Sequence, residues 1–154
     1  MEIKLLELFD SVTDFTIEKD IVRPEYDRNF RIGSNREVFG WGEESNYASL
    51  CCIAYCSEIP TTMKELEDDT SIISPHKSDI AVAYTIWNNS DTVKGAGRSL
   101  ILALQEYFSF DRNIMRLVTL SPLTEMAKKF HLSNGAKLLQ TNSESYNFEY
   151  KISN

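Results

Sequence analysis

A chain of 154 residues has room for one domain, and we read residues 1–154 as a single unit. Hydrophobic residues make up 42% and charged residues 25%, which excludes disorder, collagen and coiled coil. Sixteen Lys and Arg against 23 Asp and Glu give a net charge of −7, with no basic stripe, so nucleic acid is not an expected partner.

Residues 2–9 form a first short element, strand or helix, because Ile3, Leu5 and Leu6 do not settle the period. Residues 11–21 suit a helix, with Ser11 as cap and Val12, Phe15 and Ile17 as a partial stripe. Arg23-Pro24 ends it. A turn at Gly33-Ser34-Asn35 leads into a strand over 36–41. Residues 47–57 read as a buried strand that carries all three cysteines, Cys51, Cys52 and Cys56. On a period of two, Cys52 and Cys56 share a face and Cys51 opposes them. An odd count in one segment is no disulfide framework, and no second cluster completes a zinc spacing. No metal is expected, and the thiols read as small hydrophobes in a reducing cytosol.

Residues 60–69 look helical, with Thr61 or Thr62 as cap, and a polar loop with His76 follows. Residues 79–87 alternate, Ile80, Val82, Tyr84 and Ile86 against Ala81, Ala83, Thr85 and Trp87, so both faces suit a central strand. Trp41 and Trp87 read as core. After Lys94-Gly95-Ala96-Gly97-Arg98-Ser99 comes a helix over 98–108, striped by Leu100, Ile101, Leu104, Tyr107 and Phe108. A strand over 114–120 and a helix over 123–132, stopped by Asn134-Gly135, come next. Strands over 136–140 and 146–152 close the chain as a hairpin. The order is mixed α/β, and its strand–helix–strand unit predicts parallel strands joined by a right-handed crossover.

The six-residue run from Lys94 to Ser99 sits between a strand and a helix. Glycines there let backbone approach a ligand, and the helix start offers unpaired N–H groups and partial positive charge. Such a place suits a pyrophosphate. It is neither a Walker loop nor a full dinucleotide fingerprint, because Leu100 stands where a third Gly would be. A tight turn into the helix is the plainer alternative.

Ala83-Tyr84-Thr85 followed by Gly95-Ala96-Gly97-Arg98-Ser99-Leu100 resembles the core of the GNAT acyltransferases, with Thr92 where that family usually has Arg or Gln. The resemblance implies a mixed, splayed sheet of six or seven strands flanked by helices, with coenzyme A at the glycine loop. A closer resemblance is to the catalytic domain of malonyl-CoA decarboxylase, also GNAT-fold, over residues 29–152. It rests on Val118-Thr119-Leu120-Ser121-Pro122-Leu123 and on Phe130-His131-Leu132-Ser133-Asn134-Gly135-Ala136. Ser121 and His131 fall on that family's catalytic Ser and His. Tyr150, in Tyr146-Asn147-Phe148-Glu149-Tyr150, falls on a functional Tyr. The family's helical N-terminal domain has no counterpart here, and its tryptophan-containing stretch is replaced by residues 137–142.

The resemblance implies an acyl-CoA-using enzyme. In decarboxylation, Ser121 would orient a carboxylate, backbone N–H groups near the splay would hold the thioester oxygen, and His131 would return a proton near neutral pH. In N-acyl transfer, Tyr150 would protonate the departing thiolate. A non-catalytic acyl-CoA module is the third reading. Against these stand plainer roles: Ser121 as helix cap, His131 as a cation at a helix end, Tyr150 as core, His76 as a solvated loop residue. No apolar stretch approaches the roughly 20 residues that cross a bilayer, and no signal peptide opens the chain. No membrane partner and a cytoplasmic location are therefore expected, and a homodimer is left open.

Overall fold

The computed structural model describes residues 4–8, 12–44, 46–71, 78–89, 93–111 and 113–152. Ser11, His76 and Thr92 lie outside the described residues. The first element is a strand, β1 (Lys4–Leu8), which sends Leu5 and Leu8 to opposite faces as period two requires. The expected helix over 11–21 shrinks to α1 (Asp14–Ile17), capped by Thr13 rather than Ser11. Thr13 and Thr16 exchange side-chain and backbone bonds at 3.0 and 3.2 Å, which sets that start. A second short helix not expected from the sequence, α2 (Arg28–Arg31), is capped by Asp27, whose carboxylate accepts from Phe30 N at 2.9 Å.

Asn35, in the left-handed region at φ 58°, turns the chain into β2 (Arg36–Glu43), which pairs antiparallel with β3 (Asn46–Cys56). Then come α3 (Met63–Ser71), β4 (Ile80–Asn88) and α4 (Ala96–Phe110). The chain continues through β5 (Arg116–Thr119), a two-residue β6 (Ser121–Pro122) and α5 (Glu125–Ser133), and ends in the hairpin β7 (Lys137–Thr141) and β8 (Ser145–Tyr150). The strands form one mostly antiparallel sheet in the order β1-β2-β3-β4-β5-β8-β6, with β7 on β8. Its parallel pair is β4 with β5, across α4, as the strand–helix–strand reading expected.

Two apolar cores lie on the two faces of this sheet. One holds Val12, Val38, Leu50, Cys52, Leu66 and Val82 under α1 to α3. The other holds Phe39, Cys51, Ile53, Ala81 and Phe148 under α4's buried stripe of Leu100, Ile101, Leu104 and Phe108. The three cysteines are free and buried, Cys52 and Cys56 on the first face and Cys51 on the second. Burial pushes the Cys52 and Cys56 thiols up to about 12.

Strict alternation along β4 does not hold. Cys52 pairs with Thr85 and Ile53 with Ala83, so Tyr84 is one residue too many on β4. Past this bulge Trp87 turns to the first core and Ile86 to the second, the reverse of an uninterrupted strand. The bulge matters because the sheet opens there. β4 and β5 pair only from Ile80↔Arg116 to Ala83↔Thr119, and the last rung is Leu120 N donating to Ala83 O at 2.9 Å. Beyond it β4 runs on to Asn88, while the other strand gives way to β6, which pairs with β8.

Candidate active site

The glycine run stands at the start of α4, as expected, but its two glycines do different work. Gly95 is the N-cap in the left-handed region at φ 71°, with no side-chain bond to the first-turn N–H groups. A Cβ there would meet nothing within 4 Å, so the open face lies in front of this residue. Gly97 is buried, and its Cβ would come 2.9 Å from Phe130 Cε1. It lets α5 pack against α4 rather than giving room to a ligand. Ser49 Oγ donates to Ala96 O at 2.8 Å and fixes the first turn to β3. Lys94 and Arg98 are exposed beside it, and Ser99 N bonds back to Gly95 O at 2.9 Å. The exposed cations and the uncapped amides of a 15-residue helix fit a pyrophosphate.

Ser121 does not cap the following helix. Thr124 does, accepting from Ala127 N at 3.1 Å. Ser121 lies buried in β6 opposite Tyr146, and its Oγ donates to Thr119 Oγ1 at 2.8 Å. Thr119 Oγ1 also accepts from Phe148 N at 3.1 Å. Asn147 locks the same corner, its Nδ2 donating to Pro60 O and Thr119 O, each at 2.9 Å. Ser121 is thus held by a hydroxyl pair and a closed backbone network.

His131 is no solvated cation at a helix end. Its ring is buried against Phe148, with centroids 5.1 Å apart, and its Nδ1 lies 2.6 Å from Tyr150 Oη. Burial lowers its pKa to about 4, so the ring is neutral near pH 7 and does not titrate near 6.5 as an unperturbed histidine would. Burial also raises the Tyr150 phenol, which stays protonated. Nε2 makes no hydrogen bond among the described residues. Tyr146, Phe148 and Tyr150 alternate onto the sheet face that α4 and α5 cover, so Ser121, His131 and Tyr150 share that face. Ser121 and His131 are not hydrogen-bonded to each other among the described residues. Phe130 joins the two halves of the site: its ring touches Gly97, and its chain neighbour is His131. Tyr150 also lines a hollow of about 300 Å³ beside Met115, Arg116, Gly135 and Lys137.

One residue at the split was missed. Where the β4–β5 ladder stops, the Arg23 guanidinium takes the place of the next rung. Its Nε donates to Tyr84 O and its Nη2 to Leu120 O, both at 3.0 Å. The arm is anchored by a buried pair: Arg31 Nη1 donates to Asp20 Oδ2 at 2.6 Å, and Arg31 Nη2 to Arg23 O at 2.7 Å. Asp20 Oδ1 accepts from Val22 N and Arg23 N at 2.8 and 3.1 Å, and Thr85 Oγ1 of the bulge donates to the same carboxylate. In the sequence Arg23-Pro24 signalled only a helix end, and Asp20 and Arg31 stand 11 residues apart with no local pattern joining them. Among the described residues no group of three or more His, Cys, Asp or Glu could hold a metal ion, and no helix is long and apolar enough to cross a membrane.

No protein-family model and no curated protein matches the chain. Solved structures do. Malonyl-CoA decarboxylase from Agrobacterium vitis superposes with a TM-score of 0.65 at 22% identity, over 83% of this chain and 35% of that one. A Bacillus subtilis acetyltransferase in complex with CoA gives 0.62 at 8% identity, over 96% of this chain and 95% of that one. The GNAT domain of a Streptomyces lividans protein gives 0.51 at 14%, over 75% and 60%. This chain has the GNAT fold. The expected α/β architecture with a splayed sheet is therefore found, and the chain spans about a third of the length of the decarboxylase it matches.

Proposed function

We propose that the chain binds a malonyl-type CoA thioester at the glycine run and the sheet's split, and decarboxylates it to the acetyl thioester. The observation that carries this reading is the 2.6 Å contact between His131 and Tyr150, on the sheet face that also bears Ser121. Lys94, Arg98 and the amides of residues 95 to 98 hold the diphosphate of the substrate. Ser121, kept in place by Thr119, turns the substrate carboxylate out of the thioester plane, so that the breaking C–C bond aligns with the carbonyl π system. Carbon dioxide leaves and its bonding electrons become the enolate. N–H groups freed at the split receive the growing charge on the thioester oxygen.

The proton then comes from a neutral pair rather than from an imidazolium. With the phenol donating to Nδ1, the ring carries its own proton on Nε2. His131 delivers that proton to carbon while Tyr150 gives its own to Nδ1, and solvent restores the phenol. A thioester enolate is far more basic than a phenolate, so the transfer runs downhill. Malonyl-CoA incubated alone should yield carbon dioxide and acetyl-CoA. Tyr150→Phe keeps the ring and removes the relay, and should lower turnover about 10² to 10⁴-fold. Survival of malonyl-CoA with the wild-type protein ends the decarboxylase reading. Turnover untouched in both Ser121→Ala and Tyr150→Phe removes these groups from the chemistry.

Acyl transfer to an amine is the second reading. It is favoured by the near end-to-end match to the Bacillus subtilis acetyltransferase, against a match to only 35% of the decarboxylase. A phenol kept protonated by burial is then the acid for the departing thiolate. Acetyl-CoA should remain intact alone and release free thiol only when an amine is added. Binding of CoA with no turnover of either thioester would leave the non-catalytic module.

A further inference from the structure

Arg23 satisfies two orphaned carbonyls, and three features show that it does more than close the ladder. It enters the split from the sheet face opposite His131 and Tyr150, the face of α1 to α3. It uses Nε and Nη2, while Nη1 has no partner among the described residues. Arg23 also lines a cavity of about 230 Å³, together with Tyr26, Thr61, Thr62, Leu120 and Ser145. Glu25 and Glu144 also line it, and both are exposed, so they form its solvent edge. The guanidinium cannot drift toward them, because Asp20 and Arg31 hold its backbone and two strands hold its side chain. A fixed cation with a free edge, at the point where a CoA thioester meets the sheet, suits one oxygen pair of a carboxylate.

We infer that this cavity is a carboxylate subsite built around Arg23, filled either by the far end of a carboxyacyl group longer than malonyl or by the carboxylate of an amino-acid acceptor. The inference rests on the CoA reading above and goes beyond it by naming what the opposite face of the split recognises. A carboxyacyl chain reaches the cavity through the split. An amino acid enters from the solvent edge and sets its ammonium toward Glu25 and Glu144.

Calorimetric titration of the full chain with CoA, acetyl-CoA and succinyl-CoA separates these cases, followed by titration of the CoA-saturated protein with glutamate and with putrescine. Wild type should prefer succinyl-CoA over acetyl-CoA, or glutamate over putrescine, about tenfold or more, and Arg23→Gln should bring the preferred pair within about threefold. CoA itself should bind wild type and variant alike. Failure of CoA to bind wild type strikes the CoA reading. Normal CoA binding with no carboxylate preference in either pair, or a preference that survives Arg23→Gln, overturns the subsite alone. Because Arg23→Gln can weaken the fold, the Arg23 Nε–H cross-peak of the wild-type protein gives a second measure. It should move with succinyl-CoA and not acetyl-CoA, or with glutamate and not putrescine. An equal response within both pairs also overturns the proposal.

Discussion

The two faces of the split solve the same problem in opposite ways. On one face, Asp20, Arg31, Thr85 and the backbone of residues 22, 23 and 26 form a network that satisfies a fully buried charge pair. On the other, His131 and Tyr150 are buried, neutral and singly bonded to each other. The first arrangement uses charge to hold a loop across the diverging strands. The second uses burial to keep two titratable groups uncharged. A site that must hold its shape and still pass a proton needs both.

The charged face should be the more fragile. Arg31→Leu leaves the Asp20 carboxyl group buried with its partner gone, which costs about 3 to 5 kcal/mol and can abolish folding. The pair Asp20→Leu with Arg31→Leu should cost less than either change alone, since no unpaired charge remains. Urea unfolding checks this. Equal, small losses in all three variants would mean that the pair is solvated and does not fix the loop.

The neutral face should show itself in acid. The unfolded chain takes up a proton on His131 near pH 6.5, whereas the folded ring refuses it until about 4. Stability from this group is therefore full above 6.5 and is lost as pH falls toward 4, by about 3 kcal/mol in all. His131→Phe keeps the packing on Phe148 and removes that slope. The difference in unfolding free energy between wild type and variant, followed from pH 7.5 to 4.5, should shrink by most of that amount. A constant difference would place the ring in water.

What could be read ahead of the structure divides along the same line. The strand and helix order from residue 36 onward was legible because each element carries its own period, and the Ser121, His131 and Tyr150 stretches resemble a known family. The phase shift at Tyr84 was not legible, because a bulge on a strand apolar on both faces leaves no trace in composition. Nor was the Asp20–Arg31 pair, whose partners meet only after α1 and α2 have folded back. The two-residue β6 escaped for another reason. Ser121-Pro122 is too short for any period, and only its pairing with β8 makes it a strand. The protonation of His131 could not be foreseen either, since Phe148 and Tyr150, which bury it, come 17 and 19 residues later.

The smallest expected effect concerns the glycines that looked alike. Gly97→Ala puts a methyl 2.9 Å from the Phe130 ring, and α5 must move away, carrying His131 with it. A loss of about 1 to 3 kcal/mol and a drop in turnover should follow. Gly95→Ala meets no atom within 4 Å and pays only for its left-handed backbone, about 1 kcal/mol. Its signature should instead be weaker CoA binding with turnover at saturation preserved, because the methyl sits where the diphosphate would lie. Thermal unfolding with titration of CoA into both variants decides it. If Gly97→Ala weakens CoA and Gly95→Ala does not, the open face belongs to the buried glycine and the cradle has been placed two residues too early.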